Sequence, residues 1–404
     1  MPKYKNILVG QSGGPTAVIN SSLAGVIDRY LSLDNGGTVF GAVNGIKGIL
    51  RDELIELNST FSAKENIELL KHTPSSYLGS CRYKIAKDSN EDIDKIFEIF
   101  EKHEIGSFFY IGGNDSMDTV MRLSNDERAK GMNIIGVPKT IDNDLLGTDH
   151  CPGFGSCAKY ISTVVSEMAL DASCYDIKNV LIVEIMGRNA GWLTASSALA
   201  RTMGNTAPDF IYLPEVPFDT EKFLFDIRGK LATQDTVIIA VSEGIKDKDG
   251  TYIAESQQAF GNDMFGHGQL GGVGKKLENL VKARLGIKVR SVELNLVQRC
   301  AAHITSKTDV DDAFNCGVEA VNAAMKGETG KMVCMKRVSN DPYTIEYACE
   351  DINNIANGEK MIPKEFITEE GTDVTNAFIE YAKPLIMGEN DIKYVDGIPA
   401  FIKR

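Results

Sequence analysis

The feature that most restricts what this chain can become is a beat of short, almost wholly apolar runs separated by helix-patterned segments. The runs are NILVG (6–10), TVFGAV (38–43), SFFYIGG (107–113), NIIGV (133–137), NVLIVEIMG (179–187), DTVIIAVSEG (235–244) and IKVRSVEL (287–294). They are too short for buried helices. Runs of this kind form parallel strands covered on both faces. Residues 15–33, 63–72, 91–103 and a stretch from about 115 carry apolar residues at helical spacing. The chain has 404 residues, more than the ~250–300 at which one core stops growing. The expectation is therefore an α/β protein of two doubly wound domains. The polar loop 139–155 marks the expected boundary. Residues 1–145 then form an N-terminal domain completed by part of the C-terminal region, 146–325 a second α/β domain, and 326–404 a C-terminal extension. Within that extension KMVCMKR and YTIEYAC pattern as a hairpin and 372–382 as a helix.

Charge and composition remove some functions. A net charge of -13 argues against a nucleic-acid or anionic-membrane surface, both of which need basic patches. It leaves small anionic substrates open, because a few local cations outweigh a diffuse field at short range. The eight cysteines never take CxxC spacing, which weakens zinc and dithiol readings. No apolar run reaches 18 residues and MPKYKNILVGQ has no cleavage pattern, so a cytoplasmic protein without a membrane span is expected.

In doubly wound sheets ligands bind beyond the carboxyl ends of the strands. Four loops at such ends carry chemistry. After the first run comes GQSGGPTAVIN, in which Gly13 and Gly14 let backbone approach an anion and Pro15 suits the first turn of a helix. An ordinary strand-to-helix turn would read the same. Gly10, Ser12 and Gly14 also spell G-x-S-x-G, but that nucleophile elbow follows several strands and here only nine residues precede it. After SFFYI comes GGNDSMDTV, where Asn114 and Asp115 offer oxygen ligands for Mg²⁺ or, equally, a helix N-cap. After NIIGV comes PKTIDND, with Lys139, Thr140, Asp142 and Asp144 on an extended loop whose alternate residues share a face. An Asp near a hydroxyl can act as general base, and a Lys beside it can neutralise a transferring phosphoryl group. After NVLIVEI comes MGRNAGW, where Arg188 can hold phosphate bidentately. The glycine-rich segment 260–274 reads as a loop before a helix and a candidate lid.

GGNDS, PKTIDND and MGRNAGW, in that order, with the early glycine loop and VSEG, resemble the 6-phosphofructokinases over residues 4–325. The resemblance implies two Rossmann-like domains with the active site in the cleft between them, Mg²⁺, and phosphoryl transfer to the 1-hydroxyl of fructose 6-phosphate. ATP-using members carry glycine where this chain has Lys139 and Asp115. Both residues resemble the pyrophosphate-dependent branch of the family, whose reaction is reversible. A carboxylate at 115 would stand where the α-phosphate of ATP lies, and two such anions at about 4 Å repel by ~4 kcal/mol at an effective dielectric of about 20.

By the same resemblance Asp142 is the base, with Thr140 and Ile141 on its sugar-binding loop. Gly13 and Gly14 receive pyrophosphate, with Arg82 on the donor side. Asn114 stands where many relatives have an aspartate metal ligand, which leaves Asp144 the larger share of the metal. Met186, Gly187 and Arg188 hold the sugar phosphate and the transition state, Glu243 a sugar hydroxyl, and Arg299 the 6-phosphate. Arg290 is a partner that relatives supply across a subunit interface, so a homodimer or homotetramer is implied. Leu296 replaces a His or Tyr and Asn179 an Arg, so strong allosteric control is not expected. Two other readings are an ATP-dependent enzyme of the same fold and a non-catalytic sugar-phosphate-binding regulatory subunit. The second conflicts with a retained Asp142.

Overall fold

Strands form where the apolar runs are. The structure is a computed structural model that describes residues 4–86, 89–201, 204–254 and 272–404. In chain order the strands are β1 (Asn6–Gln11), β2 (Val39–Ala42), β3 (Leu54–Glu56), β4 (Ile105–Gly112), β5 (Asn133–Pro138), β6 (Asn179–Ile185), β7 (Phe210–Tyr212), β8 (Thr236–Ser242), β9 (Lys288–Glu293), β10 (Lys331–Asn340), β11 (Tyr343–Asp351) and the short pair β12 (Tyr394–Val395) and β13 (Ile398–Pro399). The chain divides into two compact units. Unit 1 holds Met1–Ser156, Arg299–Glu359 and Gly388–Arg404; unit 2 holds Cys157–Gln298 and Lys360–Met387.

Unit 1 is built on the sheet β11-β10-β5-β4-β1-β2-β3. Its centre is parallel, while β3 and β11 are antiparallel edges. The period of two along each strand sends alternate side chains to opposite cores. Phe109 and Ile111 of β4 join Ile7, Val9, Ile135 and Val137 under the helix Ile19–Leu31. Phe108 and Tyr110 join Leu8, Ile134 and Met117 under the helices Glu91–Lys102 and Asn114–Ser124. Helix Ile19–Leu31 also packs on helix Lys307–Met325 so closely that a Cβ on Gly25 would stand 2.0 Å from the Phe314 carbonyl oxygen. A Cβ on Gly317 would stand 2.1 Å from that of Ser22.

Unit 2 carries the parallel sheet β7-β8-β6-β9. Val180, Ile182, Val237 and Ile239 pack beneath the helices Thr220–Leu231 and Val273–Leu285. Residues 360–387 return here, where Phe366, Phe378 and Tyr381 surround Trp192.

Several expectations change. The helix expected from 15 begins at Ile19, and its N-cap Val18 makes no side-chain cap bond. IKVRSVEL is not a doubly covered strand: β9 is a sheet edge whose residues are half-buried or exposed. Residues 299–325, expected in the second domain, belong to unit 1. Nor is 326–404 a separate extension, because its hairpin finishes the unit 1 sheet and 360–387 fold onto unit 2. The segment read as a candidate lid, 260–274, lies outside the described residues except for 272–274. There, Gly272 caps helix Val273–Leu285, and the N–H groups of Gly272 and Gly274 donate to the buried Glu184 carboxylate. Among the described residues no helix is long and apolar enough to cross a membrane.

Candidate functional site

In unit 1 the parallel strands deliver their loops to one edge of the sheet. Lys139 follows β5 directly, and its N–H donates to the Gly112 carbonyl at the end of β4 (3.0 Å). Its ammonium then reaches the loop after β1, donating to the Gly14 carbonyl at 2.7 Å. Gly13 has φ +76°, a conformation that glycine adopts without strain. A Cβ there would stand 3.2 Å from the Lys139 ammonium, and one on Gly14 2.8 Å from a guanidinium nitrogen of Arg299. Side chains at these two positions would fill the space the cations face. The Gly13 N–H is itself engaged with the Cys81 carbonyl (3.3 Å), and Ser80 Oγ donates to the Gly13 carbonyl (2.6 Å). The Gly79–Arg82 segment therefore holds the glycine loop in place. Because the helix starts at Ile19, the glycines do not sit at its N-terminus; the positive charge here comes from side chains.

Lys139 is 3% exposed. Burial pulls its pKa from 10.5 down to about 8; Asp142 and Asp144 oppose the fall, and Arg299 and Arg82 add to it. That electrostatic neighbourhood gathers five predicted site residues. Along the loop the burial alternates. Ile141 and Asn143 are buried, while Thr140, Asp142 and Asp144 are partly exposed, although a bend at 141–142 and a left-handed Asn143 (φ +55°) break the extended run expected from the sequence. Thr140 Oγ1 accepts the Asp142 N–H at 3.0 Å.

At the end of β4 the helix Asn114–Ser124 begins, and its N-cap is Gly113 with no side-chain cap bond. The N-cap alternative for Asn114 and Asp115 therefore falls away. Asn114 Nδ2 donates to Asp144 Oδ2 at 3.2 Å, while its Oδ1 is buried and lacks a hydrogen-bond partner. An orphaned amide oxygen beside a carboxylate suits a hard cation that takes oxygen ligands. Asp115 pairs with Lys84 at 3.5 Å, both about half exposed. Sequence reasoning passed over Lys84; its signal was a second cation two residues after Arg82 in GSCRYK.

In unit 2 the loops after β6 and β8 meet. Gly187 N–H donates to Glu243 Oε1 (3.2 Å), and Ser242 Oγ donates to the Gly187 carbonyl (2.6 Å). Met186 N–H donates to Gln298 Oε1 (3.4 Å). Burial raises the Glu243 pKa, and the Gly187 N–H and the Arg188 charge draw it back. Met186, Gly187, Arg188 and Glu243 thus form one group. Arg290 does not join it. It pairs with Leu181 across β9 and β6, four residues short of Ile185 and so ~13 Å back along the strand. There it lines a cavity of about 130 Å³ with Tyr175 and Lys288, away from the strand ends. Asn179 spends its amide on Ile177, Thr236 and Ala172, a structural task.

Arg299, expected at the sugar 6-phosphate, has a guanidinium nitrogen 2.8 Å from where a Cβ on Gly14 would stand. Two doubly wound α/β units with cation-lined glycine and acid loops at the strand ends define a phosphoryl-handling class of protein. The chain belongs to the phosphofructokinase family, whose model matches residues 6–324. It is 39% identical to a pyrophosphate–fructose 6-phosphate 1-phosphotransferase from Methylococcus capsulatus, over 98% of this chain and 95% of that one. It is 42% identical to one from Xanthomonas campestris pv. campestris, over 98% and 95%. A crystal structure of a pyrophosphate-dependent phosphofructokinase from Nitrosospira multiformis superposes with TM-score 0.89 at 37% identity, covering 99% of this chain and 96% of that one.

Proposed function

We propose that this chain transfers a phosphoryl group reversibly from pyrophosphate to the 1-hydroxyl of fructose 6-phosphate, giving fructose 1,6-bisphosphate and phosphate. One observation carries the choice of donor. A buried ammonium at Lys139 faces the Gly13–Gly14 loop, while a carboxylate at Asp115 stands at the next strand end. The first compensates a short, highly charged donor. The second repels any donor that extends further with another phosphate.

On the donor side, Lys139, Arg299 and Arg82 neutralise the pyrophosphate and stabilise the charge that develops on the departing phosphate. Asp142 takes the proton of the sugar 1-hydroxyl as its oxygen bonds to phosphorus and the bridging P–O bond breaks. In the reverse direction it returns that proton. Thr140 fixes the Asp142 backbone through its hydroxyl, and the buried Ile141 anchors the loop. Asp144 and the unpartnered Asn114 Oδ1 would hold Mg²⁺. There the ion would supply positive charge against the donor's phosphate oxygens. On the acceptor side, Glu243 accepts from a sugar hydroxyl, and Met186, Gly187 and Arg188 bind the sugar phosphate. Arg290 contributes only if a second copy presents it, so the working enzyme is a homodimer or homotetramer in the cytoplasm.

Phosphorus NMR of protein mixed with pyrophosphate, fructose 6-phosphate and Mg²⁺ tests the reading. The expected result is loss of the pyrophosphate signal with growth of a 1-phosphate ester and inorganic phosphate. The reverse should occur from fructose 1,6-bisphosphate and phosphate. Release of phosphate without a sugar ester would sink the proposal.

A further inference from the structure

The loop that carries Asp142 and Asp144 closes on itself. Thr140 bridges Gly153, its N–H donates to the Pro152 carbonyl (3.2 Å), and the buried Asn143 side chain accepts the Cys151 N–H (2.9 Å). The outgoing limb holds the chemistry, so its position depends on what holds the returning limb, 148–153. That limb is fastened by a buried polar cluster which the phosphoryl-transfer scheme does not use.

His150 is 1% exposed. Its Nδ1 lies 2.9 Å from Asp149 Oδ2 and its Nε2 3.1 Å from Asp312 Oδ2. Asp312 belongs to helix Lys307–Met325 and also accepts the hydroxyls of Tyr343 and Tyr347 of β11, both at 2.7 Å. Asp149 accepts two bonds from Arg337 of β10 (2.6 and 3.1 Å). The backbone joins in: Asp149 N–H donates to the Met335 carbonyl (2.8 Å), and Met335 N–H to Thr148 Oγ1 (3.0 Å). One helix turn away, the buried Asp309 accepts the N–H groups of Gly153 and Ser156. A neutral imidazole owns one N–H and would turn a lone pair towards one of the two carboxylates. Only an imidazolium donates to both. Burial opposes that charge and the two carboxylates outweigh it, so the His150 pKa is raised. The groups facing it are Asp149 and Asp312, whose carboxyls, despite burial, are held low by His150, Asp309, whose carboxyl burial pushes up, Arg337 as the other cation, and Tyr343 and Tyr347, whose hydroxyls burial and Asp312 keep protonated. The neighbouring thiols Cys316 and Cys334 are held neutral by burial.

We propose that His150 is a positioning residue for phosphoryl transfer: its imidazolium ties the returning limb of the Thr140–Gly153 loop to helix Lys307–Met325 and hairpin β10–β11, and thereby sets Asp142 and Asp144. This rests on the reading of Asp142 as the base. Misplacement of a reacting group by ~1 Å costs on the order of 10²-fold in rate. The test uses His150→Gln and, for a milder change, Tyr347→Phe, which removes one donor to Asp312. The measurements are kcat, KM for pyrophosphate and fructose 6-phosphate, amide exchange over 141–153, and the ring nitrogens of His150 by NMR in the wild type. The expected results for His150→Gln are kcat lower by ~10–10²-fold with each KM within ~3-fold. Amides over 141–153 should exchange faster while those of β1 and β4 stay protected. The wild-type ring should carry two N–H groups at neutral pH. Tyr347→Phe should shift kcat and loop exchange in the same sense by less. A variant that loses thermal stability but keeps kcat and loop exchange would overturn the proposal, as would a ring with one N–H. If His150→Gln fails to fold, unchanged kcat and exchange in Tyr347→Phe overturn it alone. A wild type inert towards pyrophosphate would count against the proposed function, and the exchange and NMR arms would still decide whether His150 fastens the loop.

Discussion

Lys139 gives the account a pH signature in which activity and stability move in opposite directions. Its pKa is about 8 in the folded protein against 10.5 for the free side chain. The donor needs the ammonium, so kcat/KM for pyrophosphate should fall as pH rises through about 8, approaching tenfold for each further pH step. Stability runs the other way. Between about pH 8 and 10.5 the native protein binds fewer protons at this site than the unfolded chain, so its contribution to the unfolding free energy rises with pH. The gap between the two values corresponds to about 3 kcal/mol. Lys139→Met removes the buried charge. It should be more stable than wild type near neutral pH by up to about 3 kcal/mol, lose donor use, and lack that rise. Lys139→Arg keeps its charge throughout. Whatever it loses by fitting a larger head against Gly13 and Gly14, the ratio of its kcat/KM to that of wild type should climb above about pH 8. Titration of pyrophosphate itself cancels in that ratio. Initial rates with coupled detection of fructose 1,6-bisphosphate, and urea unfolding at neutral and alkaline pH, supply the numbers. A flat ratio, or a Lys139→Met protein no more stable than wild type near neutral pH, refutes the reasoning.

Other expectations are simpler to check. Asp142→Ser should lower kcat by ~10²–10⁴ and leave fructose 6-phosphate affinity by calorimetry within a few-fold; unchanged turnover removes its assignment as base. Lys84→Ala should raise KM for pyrophosphate by exposing the Asp115 charge, and a double-mutant cycle with Asp115→Gly should show coupling of ~1 kcal/mol or less. Additive effects would show that the pair plays no part in donor binding. Gly25→Ala places a methyl 2.0 Å from the Phe314 carbonyl oxygen, so the two helices must separate, and stability in denaturant should fall by ~1–3 kcal/mol.

Much of this molecule was legible in its sequence because the central strands are buried on both sides. β1, β4, β5, β6 and β8 read as apolar runs, and the residues after them are where chemistry collects. Gly13, Gly14, Lys139, Asp142 and Asp144 therefore surfaced from position alone. What failed to surface depends on contacts between distant parts of the chain. Nothing local in VQRC says that Arg299 will face Gly14, or that Asp312 will meet a histidine 162 residues earlier. The domain boundaries failed for the same reason, since the chain re-enters unit 1 at Arg299 and leaves it again at Lys360. IKVRSVEL misled because an edge strand tolerates Lys288 and Arg290 on its open face. Pro15 misled because it suits a first helical turn, while residues 15–18 run as loop and turn and the N-cap falls at Val18, with φ -119°.

Competing steady-state rates measure directly which donor the strand-end charges admit. With wild type, kcat/KM for pyrophosphate should exceed that for ATP by ~10²–10³, the order expected of a ~4 kcal/mol repulsion partly screened by Lys84. In the Lys139→Gly, Asp115→Gly double variant that preference should shrink sharply as ATP use appears. Equal use of both donors by the wild type would contradict the account.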